Sequence, residues 1–194
     1  ATGTLTGGGK LILSDSPGNR IRGPNRADSI FLNETNHTIE GAGIIGNNEI
    51  SLVNRGTIRA GGVNHPLIIS PGIGMMTNTG VLESSVGSRL VLGSGVIANS
   101  ASGPLTRAEG LIQTKGGTVQ IAGAAVQGGD LWTTGGGVIE LAGGSLLASH
   151  FYQNLWVRDA GMVRAADNDS SIGNVAIAIS PGGAFTIEAG ARVT

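Results

Sequence analysis

The residues best suited to chemistry are few and widely spaced. Trp132, Phe151, Tyr152 and Trp156 are four of the six aromatic residues in the chain. Three of them fall in His150-Phe151-Tyr152-Gln153-Asn154-Leu155-Trp156, a segment whose ring faces could stack a sugar. Acidic residues that neighbouring coils of a repeat fold could bring together are Glu83 with Glu109, and Asp159 with Asp167. Arg158 or Arg164 is close enough in sequence to the second pair to neutralise a uronate. Two carboxyl groups about 5 Å apart serve a retaining glycosidase, and about 6.5–9.5 Å an inverting one. With 13 acidic residues scattered along the chain, some pairs arise by accident, so no catalytic residue is assigned. Asp167-Asn168-Asp169-Ser170 gathers oxygen ligands that suit a hard cation such as Ca²⁺. It lacks EF-hand spacing, and a solvated polar loop is the preferred reading. His37, His65 and His150 are too far apart for a zinc pair, and turn or surface positions are expected for them. Gly7-Gly8-Gly9 and Gly135-Gly136-Gly137 lack the Gly-Lys-Ser/Thr of a phosphate loop. No cofactor and no metal are expected.

Composition says what must position these residues. The chain holds 35 glycines in 194 residues, 40% hydrophobic residues, 13% charged and 3% aromatic. Many turns and many β-branched residues, with few large side chains, suit thin repeated layers. A disordered linker would carry more charge and fewer Ile and Val. A net charge of −1 gives no basic field for nucleic acid. No apolar run reaches the ~18 residues of a membrane span. The absence of cysteine removes disulfides and thiolate chemistry. A start at Ala1 and a stop at Thr194 after a strand-like stretch read as a segment of a longer protein.

Two short patterns alternate. One is turn residue, any, Gly, any, aliphatic, as in Asn54-Arg55-Gly56-Thr57-Ile58 and Asn78-Thr79-Gly80-Val81-Leu82, with looser copies at 108–114 and 159–165. The other is a short alternating strand, as in Ser88-Arg89-Leu90-Val91-Leu92 and Gly117-Thr118-Val119-Gln120-Ile121. First-strand aliphatics taken at Ile21, Ile39, Ile58, Leu82, Ile112 and Leu131 are 18, 19, 24, 30 and 19 residues apart. The pattern predicts an all-β, single-stranded parallel β-helix, a β-solenoid of about nine or ten coils of roughly 20 residues, filling 1–194. At ~4.8 Å per layer the stack would be on the order of 45 Å long. Right-handed coiling is expected from the strand-crossover rule. The period weakens over 143–160, where an irregular aromatic-containing coil or lateral loop is expected. Asn19, Asn36, Asn54 and Asn78 are expected at turns, where stacked Asn side chains can form a ladder.

The run from Asn36-His37-Thr38-Ile39-Glu40-Gly41 through Asn54-Arg55-Gly56-Thr57-Ile58 to Asn78-Thr79-Gly80-Val81-Leu82 resembles the repeats of filamentous-haemagglutinin-like and autotransporter-passenger-like bacterial adhesins. The resemblance covers roughly residues 3–142. It implies a right-handed β-helix that is secreted or displayed at the cell surface and used in adhesion. The reading preferred here is a non-enzymatic adhesive or stalk-like segment. It would bind a glycan or protein on a cell surface, with Phe151, Tyr152, Trp156 and Trp132 as ligand-binding candidates. It would bind no nucleic acid and insert in no membrane. Two alternatives stand. One is a tailspike-like polysaccharide lyase or glycosidase using Glu83, Glu109, Asp159, Asp167 and Arg164. The other is a structural unit that self-associates through its solenoid ends.

Overall fold

The computed structural model describes residues 2–26, 28–72, 75–100, 109–148, 155–159, 162–167, 169–173, 175–179, 181 and 183–188. All regular elements among them are short strands, paired in parallel into three eight-stranded sheets. The first sheet comprises Thr2–Leu5, Ile30–Asn33, Ser51–Asn54, Met76–Asn78, Gly95–Ala98, Ala124–Gln127, Leu146–Ala148 and Ser171–Gly173. The second comprises Lys10–Ile12, Thr38–Gly41, Thr57–Ala60, Val81–Ser84, Leu111–Lys115, Gly129–Thr134, Leu155–Asp159 and Val175–Ile179. The third comprises Arg20–Ile21, Gly43–Ile45, Leu67–Ile69, Arg89–Leu92, Thr118–Ala122, Val138–Ala142, Met162–Ala165 and Ala184–Ile187. The chain visits the sheets in turn, one strand of each per coil. Each strand hydrogen-bonds to its counterpart one coil away, which is the parallel β-solenoid expected from the repeats.

The described residues form eight coils, fewer than the nine or ten expected. Seven layer spacings of ~4.8 Å give a stack of about 34 Å. The difference has a specific origin. Ile21 lies on the third sheet, and the residue that stacks on Ile39 in the second sheet is Leu11. Successive second-sheet interior residues are 19 to 30 positions apart, so coils average about 24 residues, with the variation taken up at corners. The stretch 143–160 contains two regular ladder strands, Leu146–Ala148 and Leu155–Asp159.

Period-2 alternation turns alternate residues of each sheet inward, and a column of large apolar side chains runs up each of the three; the third sheet carries a second, Leu67, Leu90, Val119, Ile139 and Val163. Phe31, Leu52, Met76, Ile97, Val126, Leu147 and Ile172 align in the first sheet. Ile39, Ile58, Leu82, Ile112 and Leu131 align in the second. Ile45, Ile69, Leu92, Ile121 and Leu141 align in the third. Nearly all are fully buried, at about 1.5–3 kcal/mol of transfer free energy per large aliphatic side chain. The outward positions differ from sheet to sheet. First-sheet strands carry no Asp, Glu, Lys or Arg, whereas the second and third present charged columns.

A buried amide ladder marks the corner between the first and second sheets. Asn33 Nδ2 donates to Asn54 Oδ1 at 2.8 Å, Asn54 to Asn78 at 2.7 Å, and Asn78 to Asn99 at 2.7 Å. All four side chains are buried. Coil 1 has Leu5 where coil 2 has Asn33, so the lowest Oδ1 needs another donor. His37 Nδ1 supplies it at 2.8 Å. At the upper end Asn99 Nδ2 donates to the carbonyls of Gly110 and Asp130. The glycine of the Asn-x-Gly motif is there for space. A Cβ on Gly80 would lie 2.1 Å from the Gly56 carbonyl oxygen, and one on Gly110 would lie 2.3 Å from that of Asn78. Two of the expected Asn residues stand elsewhere. Asn36 occupies the left-handed region at φ 66°, and Asn19 donates to the Ser14 and Ala42 carbonyls.

Asn54→Ala strands one donor on Asn33 and one acceptor on Asn78, both buried. It should cost on the order of 3 kcal/mol, measured as a lower urea midpoint with an unchanged slope. Asn36→Gly, at a conformation glycine adopts freely, should shift stability by less than about 0.5 kcal/mol in the same titration.

Candidate functional site on the second sheet

On the outer face of the second sheet one column runs Ile12, Glu40, Arg59, Glu83, Gln113 and Trp132, and the backbone register continues it at positions 158 and 178. Parallel in-register pairing places like positions one layer apart, so charges alternate up the stack. Lys10 Nζ lies 3.7 Å from Glu40 Oε2, and Arg59 Nη1 lies 3.4 Å from the same oxygen. Arg59 Nε donates to Glu83 Oε1 at 2.6 Å. Glu83 Oε2 accepts from Gln113 Nε2 at 2.5 Å and meets Lys115 Nζ at 2.9 Å.

Glu83 is thus both buried, with 3% of its surface exposed, and saturated by donors. Burial alone would push its carboxyl up. The hydrogen bonds and charges of Lys115 and Arg59 outweigh that and hold it below the ordinary glutamate value. A carboxylate so placed is an ion-pair centre, and it is poorly suited to delivering a proton as a general acid.

Above this cluster the same face carries two aromatic residues. Trp132 is opposite Arg158, and Trp156 is opposite Asp130, so the two indoles occupy diagonal positions on adjacent coils of one face. One layer of ~4.8 Å and two residues of ~3.3 Å put their Cβ positions about 8 Å apart. Trp132 is 45% exposed and Trp156 36%, unusual for the largest apolar side chain. Two of the four aromatic ligand candidates therefore meet on one surface. Phe151 and Tyr152, with His150, lie outside the described residues.

The carboxylate candidates stand on different parts of the coil. Glu109 is four residues before Gln113, the strand partner of Glu83, and round the corner at Gly110. Asp159 is on the second sheet, opposite Thr133 and Ile179. Asp167 lies in the corner after the third-sheet strand Met162–Ala165. Its Oδ1 accepts the Ser170 N–H at 2.8 Å and its Oδ2 the Gly144 N–H at 3.4 Å. Burial opposes ionisation there, and these hydrogen bonds, Ser170 first, bring its pKa below the ordinary value. Asp169 is exposed, and among the described residues no three His, Asp or Glu side chains form a metal-binding group. Arg164 is on the third sheet, bonded to Glu140 and 3.4 Å from Glu188. Sequence reasoning missed the partners that hold Glu83. Arg59, Gln113 and Lys115 are 24, 30 and 32 residues away, and only the register aligns them.

Compared with known proteins, the chain matches no family model, no curated protein and no solved structure.

Because the folded pKa of Glu83 is depressed, its contribution to stability is complete above the unfolded value near 4.5 and is lost as pH falls through the lower folded value. Glu83→Gln should cost on the order of 2 kcal/mol at neutral pH. In urea titrations at stepped pH, the gap between wild type and variant should narrow from about 4.5 downward.

Proposed function

We propose that this solenoid is a non-enzymatic binding segment of a secreted or cell-surface protein. It holds a glycan against Trp132 and Trp156 and so serves adhesion. One observation carries the reading: two indoles stand exposed on adjacent coils of one rigid face. Exposing that much apolar surface has a cost, which a ligand that covers it relieves. A pyranose offers a flat patch of C–H bonds that packs on an indole, whose face is electron-rich. Two such surfaces about 8 Å apart can engage more than one ring of a chain. The ion-pair column below them fixes the backbone on which they stand, so little ordering is required on binding. The resemblance of residues 3–142 to adhesin repeats supports the same reading.

The test is retention of the protein on a panel of bacterial and host polysaccharides, with tryptophan fluorescence followed in solution and new chain ends scored in the same wells. Trp132→Ala and Trp156→Ala should each weaken binding at least about tenfold, or about 1.4 kcal/mol, without lowering the melting temperature. New chain ends would replace this reading with polysaccharide cleavage. Self-association in sedimentation without glycan retention would replace it with structural assembly.

A further inference from the structure

A recess lined by neither indole lies at the corner between the second and third sheets. The corner of coil 2 is the single residue Ala42, whereas coil 1 spends residues 13–19 there and coil 3 residues 61–66. The two long corners overhang the short one and meet across it. Asp15 accepts the backbone N–H of Asn64 at 3.0 Å, Asn64 Nδ2 at 2.8 Å and the backbone N–H of His65 at 3.0 Å. His65 Nδ1 is 3.2 Å from Asp15 Oδ1. The bond from the Asn64 backbone leads in lowering the Asp15 pKa, burial opposes it, and the Asn64 side chain and His65 add to it. Asp15 is therefore a carboxylate that commits Nδ1 of His65 as a donor, leaving Nε2 without a hydrogen-bond partner among the described residues.

Beside this ring is a cleft of about 310 Å³ lined by Val63, His65, Ser88, Arg89, Thr118 and glycine backbone. Its size is at the lower end of small-ligand sites. Arg55, Arg59 and Arg164 each pair with a glutamate. Arg89 differs: its bond is a 3.4 Å contact from Nη1 to Gln120 Oε1, and most of its five N–H donors remain available. Val63 is 67% exposed and Val86 77%. Val86 packs against Gly116, another residue of the cleft wall, so the cleft has an apolar lip.

We infer that this cleft binds a carboxylate-bearing sugar, a uronate unit. Arg89 receives the carboxylate, as guanidinium groups do in two-pronged fashion. His65 Nε2 and the Thr118 hydroxyl take ring hydroxyls, and Val63 covers a C–H face. The site is separate from the indole pair and stands or falls without it.

Titration calorimetry with galacturonate trisaccharide, its neutral methyl ester and free acetate tests this. The acid trisaccharide should bind, and the ester at least tenfold more weakly. Arg89→Gln should weaken the acid form by a similar factor, while Trp132→Ala leaves it unchanged. His65→Gln should also weaken it, with an unchanged melting temperature showing that the corner still folds. The inference is overturned if the acid trisaccharide does not bind, or if acid and ester bind alike. It is also overturned if Arg89→Gln has no effect, or if acetate alone binds as well as the trisaccharide.

Discussion

Successive coils must lie one layer, about 4.8 Å, apart along the whole stack, and every other feature answers to that constraint. At the corner between the first and second sheets it is met by the buried column Asn33, Asn54, Asn78 and Asn99. Each amide donates to the oxygen of the next, so the layer spacing and the hydrogen-bond length are satisfied together. A hydrophobic side chain there would leave carbonyls of the turn unpaired, and buried unpaired groups cost more than the bonds themselves contribute. Glycine follows because the stacked backbones leave no room for a Cβ at Gly56, Gly80 or Gly110. The ladder ends where the sequence stops supplying Asn, at Leu5 below and Gly128 above, and His37 closes its lower end.

Stacking turns sequence into columns, and columns give each face its own chemistry. The first sheet is uncharged, the second runs from alternating charge to aromatic, and the third carries Gln120, Glu140 and Arg164 in register. Strands run from two to six residues, and the larger differences between coils are placed at corners. There they create relief without disturbing the core: the residues at 61–66 reach over Ala42 to Asp15 and shape the cleft beside His65 and Arg89. A rigid core with variable corners can therefore add recognition sites at small cost in stability.

Much of this was legible in the sequence, and the rest failed for identifiable reasons. The Asn-x-Gly-x-aliphatic spacing at Asn54 and Asn78 marked the ladder, because two identical short turns align in sequence as well as in space. Asn33 and Asn99 escaped because six and thirteen residues, instead of four, separate them from Ile39 and Ile112. Asn36, three residues before Ile39, stands at a similar offset, but it serves the turn at positive φ. The same variable insertions misassigned Ile21 and raised the coil count. Trp132 and Trp156 were visible as aromatic residues, while their meeting on one face was not, since it depends on the number of residues in the intervening corners. The partners of Glu83 were not legible because they belong to other coils.

The measurement that most directly tests the account uses the absence of cysteine from the chain. Trp132→Cys/Trp156→Cys labelled with pyrene at both thiols should show strong excimer emission at high dilution, with neither single-cysteine protein doing so, because register puts the two positions diagonally adjacent on one face. Monomer emission from the doubly labelled, folded protein would contradict that register, and with it the surface on which the proposed function rests.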